Sequence, residues 1–339
     1  MTTSLSAAVV ASLLVVAAGA CVEGGGDARS PDDGFDDTVD TGKADDQQRG
    51  VVTVHHFADG KLFPEGGALD PTDGAYYVGS LSHGNITRVD GRGTETVLYA
   101  GTGEAGRLTL GMQVDAARRL LWVCTTNNAL GRIWIFDLAT GQRTGDIDLA
   151  AANPKASCND VLLDTDGTAL VSDRENPYIY KIDAARRVAV WAHDPLLGGA
   201  VVGLNSMAWT ADHRAVLTAP YLPPSLVRVS TTDPRDVQAV ELDGDLFMDG
   251  WNLLNGPDDL VMEHGELIVA FGSSLKRIVP ADGTWTRATV QSTRTIGGVT
   301  ALVQDGDALY GINGQSVRFA LKVPPQPFQI FAIDPAALR

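Results

Sequence analysis

An all-β chain folded as a six-bladed β-propeller is what this sequence predicts, on three observations. From residue 51 onward short β-rich runs alternate with Asp-Gly and Pro/Gly turns, and no stretch carries helical periodicity. One kind of run recurs six times, as EGGALD from 65, LGMQVD from 110, NDVLLD from 159, NSMAWT from 205, DDLVME from 258 and VTALVQ from 299, at spacings of 41 to 53 residues. A period in the forties with several short strands per unit is that of a propeller blade. Third, the order inside each unit is constant. A first run and a tight turn such as Asp73-Gly74, Asp166-Gly167, His264-Gly265 or Asp305-Gly306 lead into a second run that ends on a small residue: Gly79, Cys124, Ser172, Thr218, Ala270 or Gly311. A third run follows, and four strands per blade are expected.

The chain begins with MTTSLSAAVVASLLVVAAGA, an apolar, small-residue stretch that reads as an export signal. Its end, Ala18-Gly19-Ala20-Cys21, resembles a bacterial lipobox, in which the cysteine is lipidated and becomes the mature N-terminus; a plain secretory signal is the other reading. Residues 1–21 are therefore read as a lipoprotein-type signal, and 22–50, rich in Gly and Asp, as a solvated tether. The propeller spans 51–339. VVTVHHF, from Val51, has no blade of its own and is expected to supply the outer strand of the last blade, closing the ring without a free edge. His55 and His56 are then structural strand residues.

Composition narrows the partners. The chain of 339 residues is 44% hydrophobic and 20% charged, as globular proteins are, with 26 Lys and Arg against 42 Asp and Glu, a net charge of −16. No basic cluster occurs, which argues against nucleic acid. Cations or neutral small molecules suit the acidity better, and a monomer is expected. Cys124 and Cys158 are either a disulfide in an exported protein or two small buried residues.

In a propeller the first strand of each blade lines the central channel, so the residues that open the six runs converge on one axis. They are Glu65, Leu110, Asn159, Asn205, Asp258 and Val299, four polar and two apolar. Two carboxylates and two amide oxygens suit a hard cation, calcium or another divalent ion, with water or substrate completing the shell. No Cys/His set of the kind that holds structural zinc is present. Without a cation Glu65 and Asp258 would repel, and one of them would stay protonated. Polar residues lining a hydrated channel are the plainer alternative.

The repeat, with FPEGGALDP, SCNDVLLDTDG, GLNSMAW and GPDDLVM, resembles the senescence marker protein-30/gluconolactonase-like superfamily of six-bladed propellers over residues 51–339. That resemblance implies a catalytic divalent cation, usually calcium, held by Glu65, Asn159, Asn205 and Asp258, with Asp258 as general base or nucleophile. It implies hydrolysis of a lactone, ester or phosphoester. Sugar lactonases commonly carry an Arg two residues before the blade-three Asn, where this chain has Ser157, which argues against an aldonolactone. Paraoxonases use a His pair in the second-blade region, and this chain has no His between His83 and His193. Asp259, the next residue along its strand, is read as structural because side chains alternate. Loops at the same mouth bring His83, Asn127, Arg174, Tyr221 and Trp251 as substrate-pocket residues. The expectation is an exported calcium-dependent hydrolase, lipid-anchored through Cys21 to the cell envelope, or secreted if the lipobox is unused. A non-catalytic surface propeller that binds a ligand or protein is the rival.

Overall fold

A computed structural model describes residues 51–339 apart from 102–105, 128–129, 200–201, 245, 247–255, 272–273, 335–337 and 339. The expected signal, tether and lipidated Cys21, and the pocket residue Trp251, lie outside the described residues.

Six antiparallel sheets make six blades. Their inner strands are Pro64–Asp70, Leu108–Asp115, Cys158–Leu163, Leu204–Trp209, Pro257–Glu263 and Val299–Asp305. Each inner strand neighbours the next, and the last neighbours the first, which closes the ring. Blades 1 to 4 are meanders of four strands. Blade 5 adds a fifth, Glu241–Asp243, parallel to its outer strand Arg287–Thr295. Blade 6 takes its outer strand from the start of the chain: Val51–His56 pairs antiparallel with Gln329–Ile333. That closure removes one edge, and His55 Nε2 reaches Glu95 of blade 1 at 2.9 Å to tie the seam.

The repeat also dictates where the core sits. Alternation along each strand gives both faces of a blade to its two neighbours, so the apolar residues collect into six clusters, one between each pair of adjacent blades. The hairpin glycines Gly74, Gly167, Gly265 and Gly306 all hold positive φ, the backbone that their tight turns need. Cys124 of blade 2 and Cys158 of blade 3 are fully buried and disulfide-bonded, with 5.9 Å between their Cα atoms. The first of the two sequence readings is thus the one found.

Candidate functional site

Every inner strand is bulged at the same height. Pairing with the second strand breaks after Pro64, Thr109, Cys158, Leu204, Pro257 and Val299, and resumes at Gly67, Met112, Val161, Met207, Asp259 and Ala301. A bulge leaves residues outside the ladder and re-aims their side chains. The first unpaired residues are Glu65, Leu110, Asn159, Asn205, Asp258 and Thr300. Blade 6 corrects the sequence alignment by one: Val299 is ladder-paired to Asn313 and buried between blades 5 and 6, and the position belongs to Thr300. Two residues oppose one in the bulges of blades 1 to 4, whereas blades 5 and 6 insert a single unopposed residue, Asp258 or Thr300.

The small residues that end the second strands now have a physical reason. Gly79, Cys124 and Ser172 lie opposite the bulges of their blades. A Cβ on Gly79 would stand 2.8 Å from the Thr109 carbonyl of the next blade. The Ser172 hydroxyl accepts from the bulged Asp160 N–H at 2.9 Å and donates to the Asn205 carbonyl at 2.7 Å, which binds blade 3 to blade 4.

Five of the six bulge residues, all but Leu110, line one cavity, and Thr300 is one of them. Glu65, Asn159, Asn205 and Asp258 line a space of about 530 Å³ that runs down the axis. Asn159 donates its amide N–H to Asn205 Oδ1. Asn205 Nδ2 donates to the Pro257 carbonyl at 2.9 Å and to Asp258 Oδ1 at 3.2 Å, which leaves its oxygen to the Asn159 amide. Glu65 Oε2 is buried without a hydrogen-bond partner. Leu110 instead packs between blades 2 and 3, and the Thr300 hydroxyl donates to the Pro64 carbonyl at 3.0 Å. Neither is free to serve the centre.

The site is electrostatically loaded. Burial, opposed by the Arg174 charge and abetted by Asp259, pushes Glu65 up to about 7. Burial, then the charges of Glu65 and Asp259, raise Asp258 well above the ordinary carboxylate range, against a hydrogen bond from Ser316. One step deeper lie Asp160 and Asp259, pushed by burial to about 7 and about 6. Asp160 accepts from the Ser206 hydroxyl at 2.9 Å, and Asp259 accepts from the Leu302 N–H of blade 6 at 2.6 Å. Asp259 therefore ties two inner strands, yet it also lines the cavity, against the expectation that alternation would turn it away.

The donor set fits a divalent cation. Two carboxylates would supply two charges, Glu65 Oε2 lacks a partner, and Asn205 keeps its oxygen on the side of Asn159, away from Pro257 and Asp258. Turning over the Asn159 amide would add a fourth oxygen, a set suited to calcium.

The loop residues divide. Arg174 is half-buried, and its charge is felt at Glu65. Tyr221 feels Asp258 and Glu65, and burial raises its phenol, so it stays protonated. Asn127 buries its Oδ1 without a partner. His83 is exposed and faces Asp59 at 3.5 Å, and no contact links it to the four. Sequence reading passed over Asp160, Ser206 and Ser316. The polar doublets Asn159-Asp160 and Asn205-Ser206 were a usable signal, since both residues of each lie in a bulge. Ser316 comes from a short helix, Ser316–Leu321, with no counterpart among the described residues of the other blades, so no repeat pointed to it.

No protein-family model matches the chain, and no curated protein does. Solved structures do. The gluconolactonase of Xanthomonas campestris is 14% identical with a TM-score of 0.60, covering 84% of this chain and 89% of its own. Regucalcin of Agrobacterium tumefaciens, described as a calcium-binding protein, is 17% identical with a TM-score of 0.57, covering 83% and 93%. The major Malassezia sympodialis allergen Mala s 1 is 15% identical with a TM-score of 0.65, covering 81% and 93%. At these identities the likeness is one of fold alone, the six-bladed β-propeller.

Proposed function

We propose that this chain is a metal-dependent hydrolase of a lactone, ester or phosphoester, with calcium or another divalent cation held by Glu65, Asn159, Asn205 and Asp258. The observation that carries this reading is the convergence of four oxygen-bearing side chains from four blades on one cavity, with the Glu65 carboxylate unpartnered and both acids driven toward protonation. An arrangement this costly in the free protein is what a cation would relieve. The regucalcin and gluconolactonase structures support the choice of ion and of reaction class.

The bound cation would polarise the carbonyl or phosphoryl oxygen of the substrate. Asp258, ionised under that charge, takes a proton from the attacking water, whose oxygen bonds to the acyl carbon or phosphorus while the bond to the leaving oxygen breaks. Asn205 fixes the angle of Asp258 through the 3.2 Å contact to its Oδ1, and the Ser316 hydroxyl steadies the carboxylate. Protonated Asp258 returns its proton to the leaving oxygen. Tyr221 walls the pocket: its main chain bonds Gly203, and its ring lies over Gly256, where a Cβ would come within 2.5 Å.

Export belongs to the same proposal. A fully buried disulfide fits an oxidising compartment, and Cys21 would supply the lipid anchor. The hydrolase reading is tested by assaying lactones, carboxylic esters and phosphotriesters with added calcium and with EDTA, for the wild type and Asp258→Asn. Turnover that needs the metal and fails in the variant supports it. No turnover with any class leaves the surface-binding propeller in its place.

A further inference from the structure

Main-chain bonds hold the backbone of Arg174 beside two of the site strands. The Arg174 N–H donates to the Ser157 carbonyl at 2.8 Å, the Gly203 N–H donates to the Arg174 carbonyl at 2.6 Å, and the Tyr221 N–H donates to the Gly203 carbonyl at 2.9 Å. Ser157 and Gly203 each stand two residues before a site asparagine, Asn159 and Asn205. The ladder thus hangs Arg174 and Tyr221 over the entrances of blades 3 and 4. Gly203 is needed for this closeness, since a Cβ there would lie 3.2 Å from both the Asp173 and Arg174 carbonyls.

The guanidinium at the end of this built segment has no hydrogen bond or ion pair among the described residues. The neighbouring acid cannot take it. Asp173 is saturated by the Tyr180 hydroxyl at 2.6 Å, the Glu175 and Asn176 N–H groups at 2.9 Å and the Asn176 side chain. Arg174 is half-buried, and its charge is felt at Glu65 of the common centre. A divalent cation there would balance Glu65 and Asp258 and leave the arginine as surplus positive charge. A half-buried guanidinium without a partner among the described residues, on a main chain held in place, is suited to bidentate capture of a carboxylate or phosphoryl group.

We propose that Arg174 is a specificity-determining residue that binds an oxyanion carried by the substrate, a carboxylate or phosphoryl group, beside the reacting bond. The substrate class is then an anionic lactone or ester rather than a neutral one. The reacting bond rests on the hydrolase reading, whereas the anion site stands on the placement of Arg174.

The test uses binding first. Glutarate and dimethyl phosphate, with glutaramide and trimethyl phosphate as uncharged controls, are titrated into the propeller by calorimetry, with calcium and with EDTA, for wild type, Arg174→Gln and Arg174→Lys. The expected result is binding of an anion and not of its control, weakened about tenfold or more in Arg174→Gln and less in Arg174→Lys. The calcium-induced rise in melting temperature should persist in both variants. Preference for glutarate assigns a carboxylate, and preference for dimethyl phosphate a phosphoryl group. Absence of anion binding in the wild type, or equal binding by Arg174→Gln, overturns the proposal. Anion binding that depends on Arg174 without hydrolysis of any ester would sink the hydrolase reading and leave the anion site standing.

Discussion

At one height of the ring, blades 3, 4 and 5 and blades 2 and 6 share a backbone and differ in contents. All five inner strands bulge there. In blades 3 to 5 the bulged residue is Asn159, Asn205 or Asp258, joined to its neighbour by side-chain hydrogen bonds across the axis. In blades 2 and 6 it is Leu110, sunk in the apolar cluster between blades 2 and 3, or Thr300, spent on the carbonyl of Pro64. The bulge is thus a device of the fold, needed wherever six inner strands crowd one axis, and chemistry is added by choosing which bulges carry a free oxygen. The fold alone does not say which.

The comparison breaks most severely at Asp258. Asp258→Asn keeps the shape and removes the proposed base, so kcat should fall by about 10² to 10⁴-fold in the assay that detects turnover. A fall of less than about threefold would move the base elsewhere. Leu110→Ala probes the opposite half: it should cost about 2–5 kcal/mol in urea unfolding through the cavity it leaves, with the calcium response intact. Loss of the calcium response in a folded Leu110→Ala protein would show that the apolar blades also hold the ion.

Protons sharpen the same contrast. Glu65, Asp160 and Asp259 sit near 7, 7 and 6, and Asp258 is raised too, all above the unfolded value of about 4. The folded chain then holds more protons than the unfolded one, so the stability these groups give is present at low pH and lost as pH rises through about 6 to 7. Acids with lowered values, such as Asp70 and Asp137, act only at more acid pH. In EDTA the melting temperature should fall between about pH 5 and 8, and calcium should flatten that fall; a flat profile in EDTA would mean that the cluster carries no strain. Thr300→Val is the gentlest probe, expected to cost about 1 kcal/mol for one buried hydrogen bond and to leave turnover unchanged.

Much of this was legible because a repeat averages out local ambiguity. Asp73-Gly74 or Asn159 means little alone, but six copies in phase fixed the blade number, the closing strand at Val51–His56 and four of the residues that line the cavity. The repeat failed where its period is irregular. In blade 6 the alignment began one residue early, on the ladder-paired Val299 instead of the bulged Thr300, and Ser316 comes from a helix with no counterpart among the described residues of the other blades. Asp160 and Asp259 were harder for another reason. Strand alternation says that a neighbour of a channel residue points away, yet the bulge suspends alternation, and both carboxylates line the same cavity. His83 shows the converse limit, since a loop near the mouth in sequence sends its side chain to Asp59.

The central claim is that Glu65, Asn159, Asn205 and Asp258 hold one divalent cation. It is tested most directly by the melting temperature of residues 51–339 in EDTA and with calcium, for the wild type and Asp258→Asn, beside metal analysis of the protein as purified. Calcium at about a thousand times its dissociation constant should stabilise the wild type by about 4 kcal/mol, and the shift should shrink in the variant. An unmoved wild-type melting temperature with no metal bound, or an equal shift in both proteins, would contradict it.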